Sequence, residues 1–71
     1  MKYRELAKKL RGFGCYEVQR RGGGSHRKWF NPESGKGTVI PDWGDKDLKH
    51  GTIKAILKQL GINPDKLSLP N

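Results

Sequence analysis

The sequence predicts an α+β domain of order α-β-β-β-α, in which a three-stranded antiparallel sheet carries both helices on one face. Three observations lead there. Apolar residues recur at helical spacing near each end, the period switches to two in the middle, and glycine- and proline-rich segments separate the strands. At 71 residues the chain is one small domain with an economical core, spanning 1–71 with 68–71 expected to fray.

Tyr3, Leu6, Ala7 and Leu10 fall at i, i+3, i+4 and i+7, while Lys2, Arg4, Glu5, Lys8, Lys9 and Arg11 take the remaining face, which makes an amphipathic helix. Gly12 and Gly14 follow and can supply the left-handed residue that closes it. From Gly14 the residues alternate, Cys15, Glu17, Gln19 and Arg21 against Tyr16, Val18 and Arg20, as in a strand with one covered face near Cys15–Arg21. The glycines Gly22–Gly24 turn the chain into a second strand, His26–Asn31. On it Lys28 and Phe30 share the side of His26, and Arg27 and Trp29 face the other way. Asn31-Pro32-Glu33-Ser34-Gly35 is a turn signature, and strand 3 follows at Gly37–Pro41 with Val39 and Ile40 as its apolar centre. Ile53, Ile56, Leu57 and Leu60 define a second helix that starts between Lys49 and Thr52 and stops at Gly61. Asn63-Pro64 then caps a short final turn.

Fifteen Lys and Arg against seven Asp and Glu leave a net charge of +8, which favours a polyanionic partner, nucleic acid first and an acidic protein second. The single cysteine, Cys15, has no intramolecular disulfide partner, which fits a reducing, cytoplasmic location. Cys15, His26 and His50 lack the paired spacing of a structural zinc site. No apolar run has the length of a membrane span, and no signal-peptide core is present, so no membrane association is expected.

The most suggestive stretch is Gly22-Gly23-Gly24-Ser25-His26-Arg27-Lys28-Trp29. A glycine run before a single His suits a presented side chain; a plain hairpin loop followed by a surface His reads the same residues. An imidazole titrates nearest neutrality and can take a proton from the ribose 2′-hydroxyl of RNA, which can then attack the adjacent phosphate without a metal. Arg20, Arg21, Arg27 and Lys28 are close in sequence to His26 and can stabilise the charge that develops on the phosphoryl oxygens. Thr52, Lys54 and Lys58 on the second helix can also grip phosphates. Trp29 and Trp43 can stack on unpaired bases, although so small a core is expected to claim at least one indole. Asp42, Asp45 and Asp47 read as polar turn residues rather than metal ligands. His50, near the start of a helix, reads as a neutral surface residue.

Gly24-Ser25-His26 at the start of a strand, the strand closed by Val39-Ile40-Pro41, and the run from Asp47 to Ile62 together resemble the HicA (YcfA-like) family of type II toxins. That resemblance implies a double-stranded-RNA-binding-domain-like fold and an mRNA interferase held inactive by a HicB-type antitoxin that covers the active-site His. No metal and no small-molecule cofactor is expected. His26 matches the catalytic His, and Gly24 and Ser25 match the residues before it. The chain departs from the family pattern at Asp42-Trp43-Gly44, where many members carry a second His, and at His50, where proline is common. The extra Gly22 and Gly23 lengthen the hairpin. A non-catalytic RNA-binding module on the same fold is the alternative expectation; it predicts salt-sensitive binding without cleavage.

Overall fold

The computed structural model describes residues 1–18 and 26–67. The order is helix α1 (Tyr3–Gly12), strands β1 (Tyr16–Val18), β2 (His26–Asn31) and β3 (Lys36–Pro41), helix α2 (His50–Gln59) and a 3-10 turn at Pro64–Leu67. The strands form one antiparallel sheet of order β1-β2-β3, so the predicted architecture holds and β2 has the predicted bounds. The remainder of the predicted first strand, from Gln19 to Arg21, and the tail at 68–71 lie outside the described residues.

Pairing sets which side chains share a face. Tyr16 sits opposite Phe30, Glu17 opposite Trp29 and Val18 opposite Lys28; across the other edge, His26 faces Pro41, Lys28 faces Val39, Trp29 faces Thr38 and Phe30 faces Gly37. Because side chains alternate along a strand, Arg27, Trp29, Asn31, Thr38 and Ile40 project to one face and Tyr16, Val18, His26, Lys28, Phe30 and Val39 to the other.

Both helices cover the first of these faces. Leu6, Ala7 and Leu10 of α1 and Ile53, Ile56 and Leu57 of α2 are buried, and with Cys15, Trp29, Ile40, Leu48, Leu60, Ile62 and Leu67 they form the core. Trp29 is its largest wholly buried side chain. Its indole N–H donates to the Tyr3 hydroxyl at 3.0 Å, and the Arg11 guanidinium lies 5.1 Å from the ring centroid. These contacts tie β2 to α1. At the other end of β2, the Asn31 side-chain amide and the Ser34 hydroxyl both donate to the Leu60 carbonyl, each at 2.8 Å, and tie the β2–β3 turn to the end of α2. Thr38 Oγ1 donates to Gln59 Oε1.

Strand 3 starts one residue earlier than expected, at Lys36, and differs in which residues it buries. Val39 is 46% exposed, and the buried pair is Thr38 and Ile40. The two adjacent apolar residues cannot share a face, and pairing with β2 assigns Ile40 to the covered one.

The two helices end in the same way. Gly14 and Gly61 adopt positive φ, +87° and +72°. Beyond them the Cys15 N–H reaches the Leu10 carbonyl at 3.0 Å, and the Ile62 N–H reaches the Leu57 carbonyl at 2.8 Å. Each closure satisfies a free helix-end carbonyl and places an apolar residue in the core immediately after the turn. The segment before α2 is held by the two residues that precede α1: Leu48 N–H donates to the Met1 carbonyl at 2.8 Å, beside a backbone bridge between Lys2 and Asp47.

Candidate active site on the open face of the sheet

His26 is the first residue of β2 and is exposed on the face that the helices leave uncovered. Lys28, also exposed, lies two residues along on that face, so imidazole and ammonium can address the same ligand. Past Lys28 comes Phe30, whose ring meets that of Tyr16 edge-on at 5.7 Å between centroids and 63° between planes. Val39 and Val18 flank Lys28 on the neighbouring strands. An imidazole, a cation and a short apolar-aromatic strip thus share one side of a three-stranded sheet.

Arg27 points away, as its place between His26 and Lys28 requires. Its guanidinium sits 3.4 Å from Glu17 Oε2 and 3.5 Å from Asp42 Oδ2. Asp42 also accepts the Gly44 N–H at 3.1 Å, so the segment after β3 is folded into a turn and tethered to the strand that carries His26. An RNA contact by Arg27 has to compete with two carboxylates. Trp43, next to Asp42, is 47% exposed, whereas Trp29 belongs to the core, so the two indoles divide as expected.

Lys54 is exposed on α2, in the layer packed against the opposite face of the sheet from His26. The structure does not bring it beside His26 and Lys28. Arg20, Arg21, Gly24 and Ser25 lie outside the described residues. His50 corrects the expectation of a surface residue: it is half-buried, and its Nε2 atom is enclosed with no hydrogen-bond partner among the described residues. It is the first residue of α2.

The three aspartates before α2 pair with cations. Asp42 takes Arg27, Asp45 lies 3.9 Å from Arg4, and Asp47 lies 3.4 Å from the Met1 amino group. Among the described residues no three His, Cys, Asp or Glu side chains converge as a metal site. The concave surface bounded by Phe13, Asn31, Ser34 and Gly61 lies at the far end of β2 from His26. Burial pushes the Cys15 thiol above its ordinary value of 9.0, with a smaller contribution from the Glu33 charge, so this cysteine is a core residue rather than a nucleophile. No helix among the described residues is long and apolar enough to cross a membrane.

The residues that sequence reasoning passed over are Tyr16 and the stripe it forms with Phe30. Each strand's alternation was readable separately. That Tyr16 stands opposite Phe30 depends on the register of the β1–β2 pair, which the glycine-rich connection left open.

Comparison with known proteins identifies the family. A family model described as "HicA toxin of bacterial toxin-antitoxin" matches residues 3–62. A curated relative from Pseudomonas fluorescens (strain Pf0-1), "Probable mRNA interferase HicA", is 45% identical over 62 residues, covering 87% of this chain and 97% of the relative. No solved structure matches the chain, so the likeness to double-stranded-RNA-binding domains rests on the sequence resemblance. The matched span takes in both helices, all three strands and His26, and the chain belongs to the HicA toxin family.

Proposed function

We propose that the chain is an endoribonuclease toxin that cleaves mRNA without a metal, using His26 as general base. The observation that carries this reading is the placement of His26, exposed at the start of β2 on the uncovered face with Lys28 beside it. The relative named as a probable mRNA interferase supports the substrate class.

In the proposed reaction an unprotonated ring nitrogen of His26 takes the proton of a ribose 2′-hydroxyl. The oxygen attacks the adjacent phosphorus; the O2′–P bond forms, the P–O5′ bond breaks, and the 5′-oxygen leaves as an alcohol after taking up a proton from water. Negative charge grows on the phosphoryl oxygens during attack, and Lys28, with Arg20 and Arg21, supplies the countercharge. Gly24 and Ser25, which precede His26 in sequence, join them as RNA-binding residues, and Lys54 adds to the general attraction for RNA.

The net charge of +8 supports a second part of the proposal, an acidic HicB-type antitoxin that occupies the same basic surface in the cytoplasm. A cleavage assay in EDTA, comparing wild type with His26→Ala, tests the mechanism. We expect cleavage to persist in EDTA and to fall by about two to four orders of magnitude in the variant. An unchanged rate in His26→Ala removes the mechanism, and tight binding with no cleavage in any buffer favours the non-catalytic module.

A further inference from the structure

The uncovered face holds a feature that the proposed chemistry does not use. Its side chains form rows across the strands, two residues or roughly 7 Å apart. His26 and Pro41 make the first row, Val18, Lys28 and Val39 the second, and Tyr16, Phe30 and Gly37 the third. Tyr16 is 51% exposed although it is aromatic and lies in a strand. Phe30 is half-buried, and on its other side stands Gly37, which has no side chain to compete with a ligand for the ring. A Cβ on Gly37 would meet the Trp29 carbonyl oxygen at 3.1 Å, a tight approach that disfavours a side chain there.

Resting on the endoribonuclease reading, we propose that Tyr16 and Phe30 are a stacking platform for unpaired bases, which makes single-stranded RNA the substrate of this chain. Chemistry and geometry both favour that occupant. A ring on a flat sheet can meet a base face only when the base has left its own stack, and in duplex RNA the bases are already stacked inside. Lys28 lies in the row between the platform and His26, where a phosphate of a strand running along β2 passes. The net charge of +8 attracts a polyanion to the chain as a whole, and among the described residues Lys28 is the cation that this face offers it. A base on the platform sets the strand's position, and His26, two rows on, then meets a 2′-hydroxyl a few nucleotides away.

The test uses the full chain with His26→Ala, so that RNA is bound but not cleaved. The probes are a short fluorescent RNA of adenosine and cytidine only, which cannot pair with itself, and the same strand annealed to its complement. Tyr16→Leu and Phe30→Leu keep apolar bulk and remove the aromatic face. Each is expected to weaken binding of the unpaired strand about tenfold, the loss of one base stack, and to change duplex binding less than twofold. Tyr16→Trp is expected to restore or exceed the parent affinity. Unchanged binding of the unpaired strand overturns the proposal, and so does an equal loss on both probes. Unchanged RNA binding together with lost inhibition by the cognate antitoxin assigns the face to a protein and also overturns it. Cleavage is read separately on chains that retain His26. Aromatic-dependent binding without any cleavage upholds the platform and removes the endoribonuclease reading, while cleavage with aromatic-independent binding does the reverse.

Discussion

The two faces of β2 are made from alternate residues of one short strand, yet they obey different rules. Arg27, Trp29 and Asn31 each end on a partner inside the domain: two carboxylates, the Tyr3 hydroxyl and the Leu60 carbonyl. His26 and Lys28, on the other side, are exposed and turned outward. The parity of a residue's position therefore decides whether its chemistry is spent on holding the fold or offered to a ligand. In a domain of this size the separation matters, because a core with one indole at its centre has little to spare for a binding site.

Substitutions that ignore parity break the comparison most severely. Trp29→Ala is expected to cost about 3–5 kcal/mol, which is comparable with the whole stability of so small a domain, and urea titration followed by circular dichroism should find the variant largely unfolded. Gly61→Ala comes next, at about 1–3 kcal/mol: φ is +72° and the new Cβ falls 2.9 Å from that of Ser34. Asn31→Ala is expected to cost about 1–2 kcal/mol in the same titration, since the Leu60 carbonyl keeps its bond from Ser34. A smaller effect comes with alkali. Burial favours the neutral Cys15 thiol, so its contribution is fully present below pH 9.0 and is lost as pH rises through the raised native value. Thermal melts should show stability falling above pH 9.0, with the earliest part of the fall absent in Cys15→Ala; the Tyr3 hydroxyl, also raised by burial, adds its share above 10.0.

Neighbouring cations sharpen the comparison with the least disturbance to the fold. Lys28→Ala should leave stability within about 0.5 kcal/mol and reduce the salt dependence of RNA binding by about one phosphate contact. Arg27→Ala should leave that salt dependence as it is and cost up to about 1 kcal/mol through its ion pairs. Equal salt slopes in the two variants would show that the faces do not divide the work in this way.

Much of the architecture could be read from the residues because the patterns are local. Tyr3, Leu6, Ala7 and Leu10 mark one helix stripe, and the alternation from His26 to Asn31 bounds β2 to the residue. What escaped was set by pairing between distant segments. Thr38 rather than Val39 is buried because β3 takes its register from β2. Arg27 is engaged because Glu17 and Asp42 converge on it from both neighbouring segments. Asn31 looks like a turn residue in sequence, and it also starts the turn, accepting the Glu33 N–H at 3.1 Å; its second task, on the end of α2, depends on tertiary packing. His26 and Lys28 were legible as one face from spacing alone, whereas the aromatic strip beyond them needed the partner strand.

The corner where Asn31 and Ser34 share the Leu60 carbonyl has a consequence for how chains of this kind diverge. Two donors on one acceptor make a redundancy, so either position can drift while the other holds the helix end in place. Gly61 has no such cover: any side chain there needs both a strained backbone and room that Ser34 already occupies. Change at this corner is therefore ordered in time, with 31 or 34 free to move first and 61 only after the turn beside it has been rebuilt.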